Sequence, residues 1–193
     1  MNPPVFFLRS FILLSTLGCL QAGNASAQNR ELAWSELTQG RAVAIIRHAT
    51  APGLGDPPGF QIGDCSTQRN LSEEGRIQAR RIGSFFKHKG IKEATVYSSQ
   101  WCRCLETARL LDLGPVKELQ ALNSFFQDPS AEEKQTKEIL SFITSLPPGK
   151  ATILVTHQVN ITALTGIFPS SGEVIIFQPR KNGQGKVIGR FTL

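Results

Sequence analysis

The stretch Ala42–Val43–Ala44–Ile45–Ile46–Arg47–His48–Ala49–Thr50 decides how the rest of the chain is read. Its apolar run is short and β-branched, as in a buried strand, and it ends on a guanidinium and an imidazole that an apolar core does not accept unpaired. In an open α/β sheet, ligands bind beyond the carboxyl ends of the strands, so an Arg-His pair emerging there reads as a site. The chain holds three histidines. One of them, His157, repeats the arrangement, because Thr152–Ile153–Leu154–Val155–Thr156 leads straight into it. His88 falls in the last polar turn of an expected helix and reads as a surface cation at a helix end.

Before this stretch, Arg9, an apolar run from Phe11 to Leu20 and Ala25–Ser26–Ala27 have the layout of a secretory signal: basic start, apolar centre, small-x-small cleavage site. The expectation is a signal peptide over 1–27 and a single domain over 28–193, in a periplasmic or secreted protein. The apolar run falls short of the ~20 residues that span a bilayer, which speaks against an anchor, and no stable membrane span is expected once it is removed. Leu17–Gly18–Cys19 resembles part of a lipid-attachment box, but Thr16 stands where such boxes prefer Leu. The 193 residues are 40% hydrophobic, which fits one ordinary core. The net charge of +6 suits anionic lipid head groups, lipopolysaccharide phosphates or phosphorylated metabolites. Lys and Arg are dispersed without aromatic interleaving, so nucleic acid is not an expected partner. Cys65, Cys102 and Cys104 remain after export, and an oxidising compartment predicts one disulfide with one thiol left over. A direct Cys102–Cys104 bridge would be strained, which leaves Cys65 paired with one of them. A lone Cys-x-Cys without a second pair argues against zinc.

Along the chain, Glu31–Leu37 is a short helix candidate that Gly40 stops. The span 51–64 carries Pro52, Gly53, Gly55, Pro57, Pro58, Gly59 and Gly63 and reads as a long loop, a wall or lid beside the candidate site. Ser72 with Glu73 and Glu74 starts a helix whose inner face is expected to carry Ile77, Ile82, Phe85 and Phe86. A strand over Ala94–Ser98, a helix from Trp101 to Leu111, a short strand over Val116–Leu119 and a helix over Ala131–Ser145 follow. Beyond the His157 strand come a helix over Val159–Thr165 and two strands, Glu173–Phe177 and Lys186–Phe191, around Lys181–Asn182–Gly183–Gln184. The alternation predicts a three-layer α/β/α sandwich, mostly parallel, with an antiparallel edge strand.

Arg47, His48, Arg103 and His157 all fall at strand ends or early helix turns, positions that converge on one edge of such a sheet. Paired guanidiniums match the oxygens of a phosphoryl group, and a neutral imidazole among them can attack phosphorus. This chemistry requires no metal, and no cofactor is called for. These residues do not by themselves say which histidine attacks.

At this point the chain resembles the histidine phosphatase superfamily, the group that includes phosphoglycerate mutases. Arg47–His48–Ala49 is similar to the family's Arg-His-Gly. Leu71–Ser72–Glu73–Glu74–Gly75–Arg76–Ile77–Gln78–Ala79 resembles its Leu-Thr-x-x-Gly-x-x-Gln-Ala. Ser98–Ser99 through Arg103 to Thr107–Ala108 resembles its Ser-Ser-x-x-x-Arg-x-x-x-Thr-Ala, and Val155–Thr156–His157 its second histidine. The resemblance implies a phosphoglycerate mutase-like fold, with His48 as the phosphorylated nucleophile and Arg47, Arg103 and His157 binding the phosphoryl oxygens. Thr50 and Gln158, beside the two histidines, are further phosphate-contact candidates. Gln68, Arg69 and Asn70 could add donors, and Arg69 and Asn70 could equally cap the helix start.

The chain also departs from the family's pattern. Ala49 replaces a glycine. Gln158 replaces the aspartate of the phytase-like branch, and no Arg-x-Pro follows His48, which argues against that branch. Where mutase-type members carry a glutamate acid, this chain reads Leu122–Asn123–Ser124. Asp128 is then the expected substitute proton donor, with Glu118 behind it. The resemblance implies a phosphatase acting on a phosphorylated small molecule or a lipopolysaccharide sugar phosphate. A non-catalytic phosphate-ligand or envelope-binding protein that kept the pocket is the alternative. A mutase is disfavoured, because its phosphorylated cofactors are cytoplasmic.

Overall fold

The computed structural model describes residues 17–180 and 184–193, with side chains from residue 28 onward. Residues 1–16 of the expected signal peptide and 181–183 of the expected final turn lie outside the described residues. Six strands form one sheet, β1 (Val43–Arg47), β2 (Thr95–Ser98), β3 (Val116–Glu118), β4 (Thr152–Thr156), β5 (Val174–Pro179) and β6 (Gly185–Phe191), in the order β3-β2-β4-β1-β5-β6. β1, β2, β3 and β4 run parallel, while β5 and β6 pair antiparallel at the other edge.

The two strands that end in histidines are therefore neighbours. Their register sets Arg47 opposite Thr156, so His48 and His157 leave the sheet side by side. Alternation along β1 divides the core between the two faces. Ala44 and Ile46 pack with Trp34 and Leu37 of α1 (Leu17–Thr38), Ile82 and Phe86 of α2 (Glu73–His88), and Cys104 and Ala108 of α3 (Cys102–Leu110). Val43 and Ile45 pack with Ile139 and Ile143 of α4 (Glu132–Ser145) and Ile161 of α5 (Gln158–Thr165). Helices on both faces give the expected three-layer sandwich.

Two expectations shift. The first helix begins at Leu17 rather than Glu31 and passes through the expected cleavage site; among the residues whose side chains are described, Ala33, Trp34 and Leu37 are its buried ones. In α2 the buried face is Gly75, Ala79, Ile82, Gly83 and Phe86, and Ile77 is exposed. The cause is close approach. A Cβ at Gly75 would stand 2.1 Å from the Thr50 carbonyl oxygen and one at Gly83 2.0 Å from that of Leu111, so the small residues set the contact face. Ser72 caps the helix as expected, its hydroxyl accepting from the Gly75 N–H.

A candidate active site at the strand ends

A cleft opens over the carboxyl ends of β1 and β4. Arg47, His48, Arg69, Arg103 and His157 line its floor region together with Asp56, and Leu54, Trp101, Phe126 and Val159 add apolar surface. Local structure explains each placement. His48 N–H donates to the Thr156 carbonyl, continuing the β1–β4 ladder one residue past the strand. Ala49 N–H donates to Thr107 Oγ1, whose hydroxyl donates to the Arg103 carbonyl, so the Thr-Ala of the Arg103 helix clamps the turn after His48. Gln78 Oε1 accepts from Thr50 N–H while its Nε2 donates to the Ser171 carbonyl, tying α2 to the same turn.

The His48 ring lies 2.8 Å through Nδ1 from its neighbour Ala49's carbonyl oxygen. A carbonyl only accepts, so Nδ1 carries the proton and the lone pair is on Nε2. Burial and the Arg103 charge bring the His48 pKa from 6.5 down to about 3, against the Ala49 hydrogen bond that raises it. The ring is therefore neutral at any ordinary pH, with Nε2 3.3 Å from Arg103 Nε.

His157, 5.6 Å away between ring centroids, is held differently. Arg103 Nη2 donates to its Nδ1 at 3.4 Å, which leaves Nε2 to donate to Ser99 Oγ at 2.8 Å. Ser99 passes its proton to Asn123 Oδ1, which also accepts from Gln100 N–H. Burial first, then the electrostatic influence of the neighbouring His48 ring and of the three guanidiniums, pushes His157 well below its usual value. Cys104 is the free, buried thiol beneath this ring, 3.4 Å from Nε2, and burial raises it to about 12, so it stays protonated. The disulfide joins Cys65 to Cys102, tying the end of the long loop to the first turn of α3.

Arg47 donates through Nη1 to the Pro169 carbonyl at 2.8 Å, while its buried Nε has no partner among the described residues. Arg69 donates to the carbonyls of Gly55 and Ala51. Burial and the Arg103 charge depress both guanidiniums. Three guanidiniums beside one carboxylate make the cleft a site for anions.

The structure brings Arg47, His48, Arg103, His157 and Gln158 onto the cleft and leaves out other candidates. Thr50 turns its hydroxyl to Gln78 Oε1, 3.2 Å away, because α2 must be anchored there. Asp128 is exposed beside a 3-10 turn and accepts from Ser130 Oγ, so the expected proton donor does not line the cleft. Glu118, also exposed, accepts from Gln100 Nε2. Asn123 supports Ser99 instead of facing the cleft, and Ser124 is the residue of that segment that lines it. Gln68 and Asn70 hold backbone: Gln68 Oε1 accepts from Cys102 N–H, and Asn70 Nδ2 donates to the Cys65 carbonyl. His88 sits exposed at the end of α2. Asp56 is the residue that sequence reasoning missed. The available signal is that it is the one acid between His48 and Asp64.

The arrangement fits a known family. The sequence profile of the histidine phosphatase superfamily (branch 1) matches residues 43–126, the segment that carries His48 and Arg103. Over that segment, less than half of the chain, the sequence is similar to the histidine phosphatase superfamily. No curated protein matches the sequence significantly. Among solved structures, the chain is similar to the protein histidine phosphatase SixA complexed with tungstate, with 16% identity, a TM-score of 0.56 and coverage of 78% of this chain and 96% of that one. It is similar to a phosphoserine phosphatase mutant from Entamoeba histolytica in complex with phosphoserine, at 15% identity, TM-score 0.56, 77% and 95% coverage. A mycobacterial glucosyl-3-phosphoglycerate phosphatase matches at 15% identity, TM-score 0.53, 76% and 96% coverage. At these identities the likeness is one of fold.

Among the described residues no group of three or more His, Cys, Asp or Glu is arranged to hold a metal ion, and no helix is long and apolar enough to cross a membrane.

Proposed function

We propose that this chain is an exported, metal-independent phosphomonoesterase that works through a phosphohistidine on His48. The observation that carries the reading is the His48 ring: neutral, its Nδ1 tied to the Ala49 carbonyl, and its Nε2 turned towards Arg103 in a cleft ringed by three guanidiniums. Nε2 attacks phosphorus in line, the ester bond breaks away from it, and water later attacks the phosphoryl group on the opposite side of that nitrogen. Arg47, Arg103 and Gln158 bind the phosphoryl oxygens, with His157 alongside. Charge that spreads over those oxygens in the transition state meets preorganised donors, the kind of contact worth about 2.7–4 kcal/mol each in related chemistry.

The solved structures of similar fold support the substrate class, since they include phosphatases of phosphoserine and of glucosyl-3-phosphoglycerate. The basic chain and the signal-like residues 1–27 favour a phosphorylated sugar of the cell envelope, and with it a periplasmic or secreted site of action. The protein from Gln28 onward, incubated in EDTA with p-nitrophenyl phosphate and a panel of sugar phosphates, releases inorganic phosphate on this reading. Folded protein that binds phosphate esters without turning any over would instead be a binding protein that kept the pocket.

A further inference from the structure

Asp56 is the one carboxylate on the cleft, and its surroundings are unusual for a loop residue. Arg103 Nη1 donates to Oδ1 at 2.6 Å and Nη2 to Oδ2 at 3.2 Å, an end-on fork. The Trp101 indole N–H donates to Oδ2 at 3.0 Å and the Arg69 backbone N–H to Oδ1 at 3.2 Å. The pair is almost wholly shielded, with 4% of the Arg103 side chain and 8% of the Asp56 side chain exposed. Burial alone raises the Asp56 carboxyl, but the Arg103 and Trp101 hydrogen bonds and the Arg103 charge hold it below its ordinary value.

Two features give this placement a consequence. Arg103 has His48 at one edge, through Nε, and Asp56 at the other, through Nη1 and Nη2. A phosphoryl group bound to His48 needs the same guanidinium that Asp56 now occupies, so the two anions compete for it. In an in-line displacement the leaving oxygen departs on the side away from His48 Nε2, and Asp56 is the acid on the far side of Arg103 from that atom.

We infer that Asp56 is the general acid–base of the reaction at His48, held by Arg103 as seen here and turned to the leaving oxygen when the phosphoryl group takes that guanidinium. This rests on the phosphatase reading above. An incoming phosphate dianion removes the cation's hold on the carboxylate and favours its protonation. In the first step the His48 Nε2 lone pair forms the N–P bond while the P–O ester bond breaks, and the leaving oxygen takes both its electron pair and the Asp56 proton. In the second, water forms the new O–P bond and gives a proton to the Asp56 carboxylate. The N–P pair returns to Nε2, so ester plus water yields alcohol plus phosphate. Nothing remains for Asp128 to do, which agrees with its place outside the cleft.

The test compares two esters in wild type and Asp56→Asn. p-Nitrophenolate leaves without a proton, whereas an alkoxide does not, so an acid matters only for the second. The expected result is that Asp56→Asn phosphorylates His48 from p-nitrophenyl phosphate within about tenfold of wild type, while its kcat/KM for an alkyl phosphate falls about 10²–10⁴-fold. The phosphorylation rate on the aryl ester also shows that the variant is folded. Equal losses on both esters, or a gain on both from unblocking Arg103, overturn the acid role and leave Asp56 a structural clasp or a plug. If the variant does not fold, the leaving-group dependence of wild type decides: a steep fall in first-step rate from aryl to alkyl esters overturns the proposal and a shallow one supports it. Wild-type protein that turns over neither ester overturns the phosphatase reading as well.

Discussion

His48 and His157 end adjacent parallel strands, are equally buried at 3% exposure, and face the same guanidinium, yet their rings are committed to different tasks. His48 gives the N–H of Nδ1 to the Ala49 carbonyl and turns Nε2 to the cleft, where Arg103 Nε donates to it at 3.3 Å. His157 has both nitrogens engaged, one by Arg103 and the other by Ser99, and Ser99 is in turn fixed through Asn123. Position on the sheet thus makes the pair, and the partner of the ring N–H, a backbone carbonyl for His48 and the Ser99 hydroxyl for His157, is what differs between the proposed nucleophile and the proposed support. A carbonyl beside the ring fixes the tautomer and leaves a lone pair. At His157 the ring N–H goes instead to the Ser99 hydroxyl, while Arg103 donates to one nitrogen of each ring.

The sharpest way to break this contrast is to remove one ring at a time. His48→Ala lowers kcat on p-nitrophenyl phosphate on the order of 10⁴-fold or more, because the covalent route is lost. His157→Gln lowers it by about 10²-fold and still forms phosphoenzyme, as expected for one donor less around the transition state. Equal losses, or phosphoenzyme in the first variant, would erase the distinction.

A smaller effect is thermodynamic. Both histidines titrate below their unfolded value of about 6.5, so the unfolded chain binds more protons than the folded one as the pH falls. Their contribution is complete above pH 6.5 and is lost on acidification, for His48 down to about 3. The expected slope is about 1.4 kcal/mol per pH unit for each ring. Urea titrations between pH 7 and 4 should show it, and His48→Gln should remove the His48 share. An unchanged slope in that variant would mean the ring is not held neutral by the fold.

The smallest effects belong to the candidates outside the cleft. Asp128→Asn and Thr50→Val, assayed on the alkyl phosphate, stay within about twofold of wild type, since neither side chain lines the cleft and Thr50 keeps its backbone bond to Gln78. A tenfold fall in either would place the residue in the reaction after all.

The sequence carried the sheet well because its signals are local. Two β-branched runs ending in histidine, a capped helix at Ser72 and a Gly- and Pro-rich loop each declare themselves within about ten residues. Arg47, His48, Arg103 and His157 were legible for a related reason: strand ends and early helix turns have fixed places once the alternation of elements is known. Asp56 was not, because a loop without periodicity gives no direction for a side chain, and its partner Arg103 lies 47 residues on. The reverse failure occurred at Thr50. Standing two residues after a catalytic candidate suggests a contact, but Gly75 brings α2 so close that the hydroxyl meets Gln78 instead. The buried face of α2 was misread at Ile77 for the same reason, since a tight helix contact is made by Gly75, Ala79 and Gly83 rather than by the largest apolar side chains.

On the proposed mechanism the chain divides two like rings into one nucleophile and one support. Quenching the protein in acid-free denaturant during turnover of p-nitrophenyl phosphate and mapping the phosphoryl group by peptide mass spectrometry tests it most directly. The expected result is phosphate on His48 alone, and none anywhere in His48→Ala. Phosphate on His157, or steady turnover with no phosphohistidine at all, would contradict it.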